Sequence, residues 1–182
     1  MTPQPRPLTT DLLDRFAEAS QRVGGPLLDV IEPGLSDDVI EELFAELGLS
    51  PPPELRVLWR WGVMPDRPAN IRAWEIHPYF ELLPPARAVK DTIERRNDPL
   101  VIHEPSWVAF AVEQAPRYLL VDTAHAGPTA PVVLSEEDGF VAALSMGDLF
   151  EYWAAQIENG GNFYDGRRWR QAVPTDPVVP LE

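Results

Sequence analysis

Apolar residues recur at helical spacing through the first sixty positions, then gather into short continuous runs between residues 107 and 144. Leu12, Leu13, Phe16 and Val23 share one face of a helix predicted from about Asp11 to Val23, with Thr10 as its cap and Gly24-Gly25 as its stop. Leu27 to Ile31 is a short apolar stretch closed by the turn signal Pro33-Gly34. Ser36 is placed to cap a second helix, with Asp37 and Asp38 in the first turn, where the helix dipole favours acids. Its apolar face is Val39, Ile40, Leu43, Phe44 and Leu47, and Gly48 ends it. Ser50 and Pro51-Pro52-Pro53 start a third, shorter helix, because proline is tolerated in a first turn. Its stripe is Leu55, Leu58 and Trp59, terminated by Gly62.

Residues 71–76, which include Ile71, Ala73 and Trp74, read as a strand or an extended crossover. Pro84-Pro85 open a fourth helix, about Ala86 to Arg96, and Asn97-Asp98-Pro99 break it. Four strand-length segments follow: Trp107 to Val112, Tyr118 to Val121, Val132 to Leu134 and Phe140 to Leu144. Their tight connections predict an antiparallel meander. Ser145 caps a last helix with Asp148 at the capping-box position and Leu149, Phe150, Trp153 and Ile157 on its apolar face. Helices, then a strand cluster, then a helix is an α+β layout: one antiparallel sheet packed with N-terminal and C-terminal helices. The expected organisation is a disordered Pro-rich start over 1–9, one domain over 10–161, and a Pro- and Arg-containing tail over 162–182.

Composition narrows the function classes. With 182 residues, 45% of them hydrophobic, the chain has the material for one real core. It contains no Cys, which excludes disulfides and thiolate metal sites and fits a reducing compartment. The first seven residues hold no apolar segment of the secretory kind, and Trp107 to Val112 is far short of the ~20 apolar residues that span a bilayer. A cytoplasmic protein without a membrane span is expected. The net charge of -14 repels a phosphate backbone, so nucleic acid is not an expected partner; a basic protein surface is. The charge is uneven: residues 100–166 hold ten acids and one base, Arg117.

Motifs for catalysis are missing. His77, His103 and His125 have no metal-ligand spacing, and there is no nucleophile elbow, phosphate loop or dinucleotide fingerprint. No cofactor, metal or enzymatic activity is expected. The run Glu136-Glu137-Asp138 sits at a predicted turn and reads either as a solvated loop or as part of an acidic contact surface. Of the six Trp, Trp59, Trp107 and Trp153 fall on apolar faces, Trp61 is less clearly placed, and Trp74 is a candidate contact residue.

Two blocks together resemble the SUKH superfamily, which contains a yeast cell-wall assembly regulator and many bacterial immunity proteins. The first is Ile40 to Gly48, then Pro53-Glu54-Leu55 and Leu58-Trp59-Arg60-Trp61-Gly62. The second is Tyr118-Leu119-Leu120-Val121-Asp122, then Pro131-Val132-Val133-Leu134 and the helix from Ser145 to Trp153. The chain departs where Pro-Pro replaces the family's Leu-Pro, where Trp61-Gly62 replaces Asn-Gly, and at Ala115-Pro116-Arg117. The resemblance implies an α+β fold and no catalysis. It implies an immunity protein that neutralises a basic, nuclease-type toxin domain; the alternative is a regulatory interaction module with a housekeeping partner. The candidate contact residues are Asp122, Glu136, Glu137, Asp138 and Trp74, and Asp122 has a rival role in bonding a neighbouring turn.

Overall fold

The computed structural model describes residues 4–66, 75–78, 80–113, 117–125, 127–135 and 140–172. Helix α1 spans Thr10–Arg22, the single turn α2 Leu27–Val30, α3 Asp37–Leu47, α4 Pro53–Trp61, α5 Pro85–Asn97 and α6 Met146–Glu158. Five strands form one antiparallel sheet in sequence order: β3 (Phe80–Leu82), β4 (Trp107–Glu113), β5 (Tyr118–Asp122), β6 (Val132–Leu134) and β7 (Phe140–Ala143). Two small pairs stand apart from it, β1 (Glu32–Pro33) with β2 (Gly62–Val63) and β8 (Asn162–Tyr164) with β9 (Trp169–Gln171). The protein is α+β, with an antiparallel meander, as the residue pattern requires.

The central strands are buried on both faces, which is why they read as continuous apolar runs rather than alternating ones. Val108 to Val112, Leu119 to Val121 and Val132 to Leu134 are all buried. Helix α5 packs on β4, where the Thr92 hydroxyl accepts from the Ala109 amide at 3.0 Å and donates to the Ala88 carbonyl at 2.7 Å. Helix α6 packs against α1, with Phe16, Phe150 and Trp153 forming an aromatic cluster beneath them.

Several local expectations are corrected. Thr9, not Thr10, is the first cap, its hydroxyl accepting from Leu12 N at 3.3 Å. Ser36 occupies the cap position of α3, but its side chain makes no cap bond. Gly48 ends α3 in the left-handed conformation, φ 67°, and Leu49 N then bonds back to the Phe44 carbonyl. Strand β3 lacks a sequence signal of its own; of the strand expected over 71–76, residues 71–74 lie outside the described residues, and Glu75 makes an isolated bridge with Glu81.

The described parts of both terminal segments, residues 4–9 and 162–172, pack against the domain. Leu8 is buried, Arg6 N donates to the Asp148 carboxylate, and a Cβ on Gly147 would stand 2.2 Å from the Arg6 carbonyl oxygen, so the N-terminal segment lies directly on the start of α6. At the other end, Asn162 and Trp169 of the β8–β9 hairpin are buried, and the Trp169 indole N–H donates to the Glu75 carbonyl at 2.6 Å. Burial of an apolar side chain in each segment, Leu8 and Trp169, favours packing despite the surrounding prolines and arginines.

Candidate functional site

Asp122 ends β5, and its carboxylate is committed to the fold. Oδ1 accepts from the Ser106 hydroxyl at 2.8 Å and from Ala124 N at 3.0 Å, and Oδ2 lies 3.2 Å from His125 Nδ1. Thr123 closes the same turn, donating its amide and hydroxyl to the Ser106 carbonyl. The rival role is therefore the observed one: Asp122 ties the loop before β4 to the turn after β5. Asp122→Ala should lower stability by about 1–2 kcal/mol, read by urea unfolding, because it strips the acceptor from two donors at once. A change within error would remove this role. Glu136, Glu137, Asp138 and Trp74 lie outside the described residues.

The Ser106, Asp122 and His125 trio does not make a nucleophilic centre. The carboxylate stands between hydroxyl and imidazole, whereas activation of a serine needs the imidazole in the middle. His77 is buried in the core, stacked on Trp153 at 4.9 Å between ring centroids. His103 donates from Nε2 to the Trp107 carbonyl at 3.0 Å. Burial holds both imidazoles down to about 4. Among the described residues no three His, Asp or Glu side chains converge as metal ligands. A shallow groove of about 310 Å³ between the N-terminal segment, α1 and α6 is lined by Arg6, Asp11, Arg15 and Glu151, and both arginines pair with Glu151. Both arginines of the groove are thereby engaged by carboxylates of α6.

Unpartnered charge gathers instead on α3. Its inner positions Ile40, Phe44 and Leu47 are buried. On one flank Asp37 and Glu41 pair with Arg56, and Asp37 also with Arg60, both arginines coming from α4. The remaining outer arc carries Asp38, Glu42 and Glu46, all exposed, one turn apart, and without an ion pair among the described residues. Like charges at i, i+4 cost a helix about 0.2–0.5 kcal/mol per pair, and Glu46 also sits in the last turn, where the dipole disfavours an acid. The dipole favours Asp38 in the first turn, but Glu42 and Glu46 have no ion pair among the described residues to offset the like-charge repulsion along the stripe. The spacing of Asp38, Glu42 and Glu46 was present in the sequence. What the spacing does not show is that α4 neutralises the neighbouring Asp37 and Glu41 and leaves these three exposed.

The opposite feature lies on the neighbouring helix. On α5, Arg87 pairs with Asp91 and Lys90 with Glu94, while Arg95 and Arg96 form no ion pair among the described residues. Arg95 lies over the Tyr118 ring at 4.6 Å, and Arg96 donates to the Leu47 carbonyl in the last turn of α3 at 2.9 Å. Burial lowers the pKa of both guanidinium groups.

The fold and this surface define a class: an α+β protein that displays an acidic helix face among its described residues. No protein-family model matches the chain, and no curated protein matches it.

Proposed function

We propose that the chain is a non-catalytic binding protein, and specifically an immunity protein of the SUKH type that covers the basic surface of a nuclease-type toxin domain. The observation that carries this reading is the Asp38, Glu42 and Glu46 stripe, which is exposed and without an ion pair among the described residues, with Glu42 and Glu46 outside the first turn where the helix dipole favours an acid. A surface that holds phosphate is basic, and an acidic face both fits it and accelerates encounter. The net charge of -14 extends that attraction over the whole molecule. The order of helices, meander and closing helix agrees with what the resemblance implies.

The test is co-expression with the C-terminal domain of a large secreted protein encoded beside this chain, scored by growth and co-purification. Rescue with a complex supports immunity; lethality unchanged and no complex would discard it. In the complex, Asp38→Lys with Glu42→Lys and Glu46→Lys should lower the association rate about tenfold or more at low salt. The same triple change at Glu136, Glu137 and Asp138 separates the helix face from the strand face. An association rate that moves only with the second set would transfer the contact to residues 136–138.

A further inference from the structure

The hairpin of β8 and β9 carries charge opposite to that of the chain. Its ten residues, 162–171, hold Arg167, Arg168 and Arg170 against one acid, Asp165, in a protein of net charge -14. Neighbours along a strand point to opposite faces, and residues paired across the strands share one. Asn162 and Trp169 are buried and define the inner face. The Asn162 side-chain amide donates to Gln156 Oε1 at 2.9 Å, and a Cβ on Gly25 would stand 2.7 Å from the Trp169 ring. Phe163 and Arg170 are register partners on the outer face, with Phe163 41% exposed.

The turn between the strands is equally well tied. Asp165 Oδ1 accepts from Arg167 N at 2.9 Å and from Arg168 N at 3.0 Å, and Oδ2 accepts from Arg170 Nε at 2.7 Å. Asp165 N donates to the Arg168 carbonyl at 3.1 Å, and Gly166 takes φ 86°, a conformation glycine adopts without strain. The Arg170 guanidinium, and then the two amides, hold the Asp165 carboxyl down to about 2. This acid is therefore spent on the turn and on Arg170. Arg167 and Arg168 are both exposed and form no ion pair among the described residues.

The hairpin thus presents one aromatic ring and two unneutralised guanidinium groups on a backbone ordered before any encounter. Arginine and aromatic side chains dominate the binding energy of protein interfaces, and a fixed backbone lowers the ordering cost of binding. A guanidinium fork fits a carboxylate bidentately. A nucleic acid or an anionic membrane presents an extended negative field, which the charge of the whole molecule opposes. A protein can place a few carboxylates locally whatever its net charge. We propose that the outer face of the β8–β9 hairpin docks an acidic segment of a protein partner, whose carboxylates meet Arg167 and Arg168 and whose apolar side chain covers Phe163. This contact is opposite in sign to the α3 stripe and does not rest on the reading of the chain as an immunity protein.

The experiment is an NMR titration of the isotopically labelled full chain with a synthetic peptide in which Glu-Glu pairs alternate with single Leu residues. Shifts should concentrate at residues 163–170. Arg167→Glu with Arg168→Glu should weaken binding about tenfold or more at low salt, because it reverses two charges at the contact. The hairpin survives this change, since the bonds of the turn use the main chain at both positions. Phe163→Ser should weaken binding as well, whereas Lys90→Glu, a charge reversal on α5, should change it less than about twofold. The same peptide with Lys in place of Glu should leave the hairpin signals unmoved. No shift at the hairpin, or an affinity indifferent to the double variant, would overturn the proposal. So would tighter binding of oligothymidylate or of phosphatidylserine vesicles at the same residues, which would assign the face to a nucleic acid or a membrane. A dimer of the free protein that is lost in the double variant would overturn it too, by assigning the face to a second copy.

Discussion

Glu54→Ala should lower the unfolding free energy by about 3–5 kcal/mol, the largest loss expected from any single polar substitution in the described core. Glu54 is 1% exposed at the start of α4. Its oxygens accept from Leu8 N at 2.9 Å, Ala130 N at 2.9 Å, Gly147 N at 3.0 Å and Met146 N at 3.4 Å. One carboxylate thereby joins the N-terminal segment, the loop before β6 and the first turn of α6, whose free amides carry the positive end of the helix dipole. Burial pushes the Glu54 carboxyl above the ordinary carboxylate range, with the four N–H donors pulling the other way. Removing it leaves those donors buried without an acceptor, at about 1–3 kcal/mol each before relaxation. For a chain of this length the melting temperature should fall by about 10 °C. Glu54→Gln retains one carbonyl acceptor but turns an NH₂ toward the donors, so it should not rescue fully. A Glu54→Ala protein within about 1 kcal/mol of the parent in urea unfolding would show that these bonds are not made. The setting of α3 depends on this hub, because α4 places Arg56 and Arg60 against Asp37 and Glu41 on one flank of α3.

Acidification should destabilise the fold through His77. The imidazole is buried, stacks on Trp153, and has Nε2 3.0 Å from both Gln156 Oε1 and Asn162 Nδ2. Desolvation holds it down to about 4, against an ordinary value of 6.5, while the bond to Gln156 pulls weakly upward. Between those two values the unfolded chain binds a proton that the folded chain refuses. Stability is therefore complete above about pH 6.5 and falls as the pH drops toward 4, by roughly 3 kcal/mol for this one group. His103 acts in the same direction with a smaller effect, since it is only partly buried. Glu54, Glu81 and Asp91, pushed up by burial, act in the opposite direction. The discriminating readout is accordingly the difference between the parent and His77→Gln in urea unfolding at pH 7 and pH 5. The variant should start less stable and lose less on acidification. An equal loss in both proteins would assign the pH dependence to other groups.

The amino-acid pattern determined much of this architecture unaided. The stripe of Ile40, Phe44 and Leu47 and the glycine at 48 specify α3 and its end, since a 3.6-residue repeat has one way to bury its apolar face and only glycine enters the left-handed region at no cost. The apolar runs from Trp107 to Leu134 specify buried strands, and their short connections make the sheet antiparallel. The charge of -14 determined the sign of the expected partner.

Tertiary structure decided the rest, because the physics there joins residues far apart in the chain. Nothing local distinguishes Glu54 from the other acids; its burial depends on three amide-bearing segments between 46 and 93 positions away. Asp122 looked available until Ser106 and Ala124 took its oxygen. Asp37 and Asp38 are neighbours of equal chemistry, yet Arg56 and Arg60 neutralise the first and leave the second exposed on the outer arc. A charge is free or spent according to what other elements bring within about 4 Å of it, and that distance is set by packing.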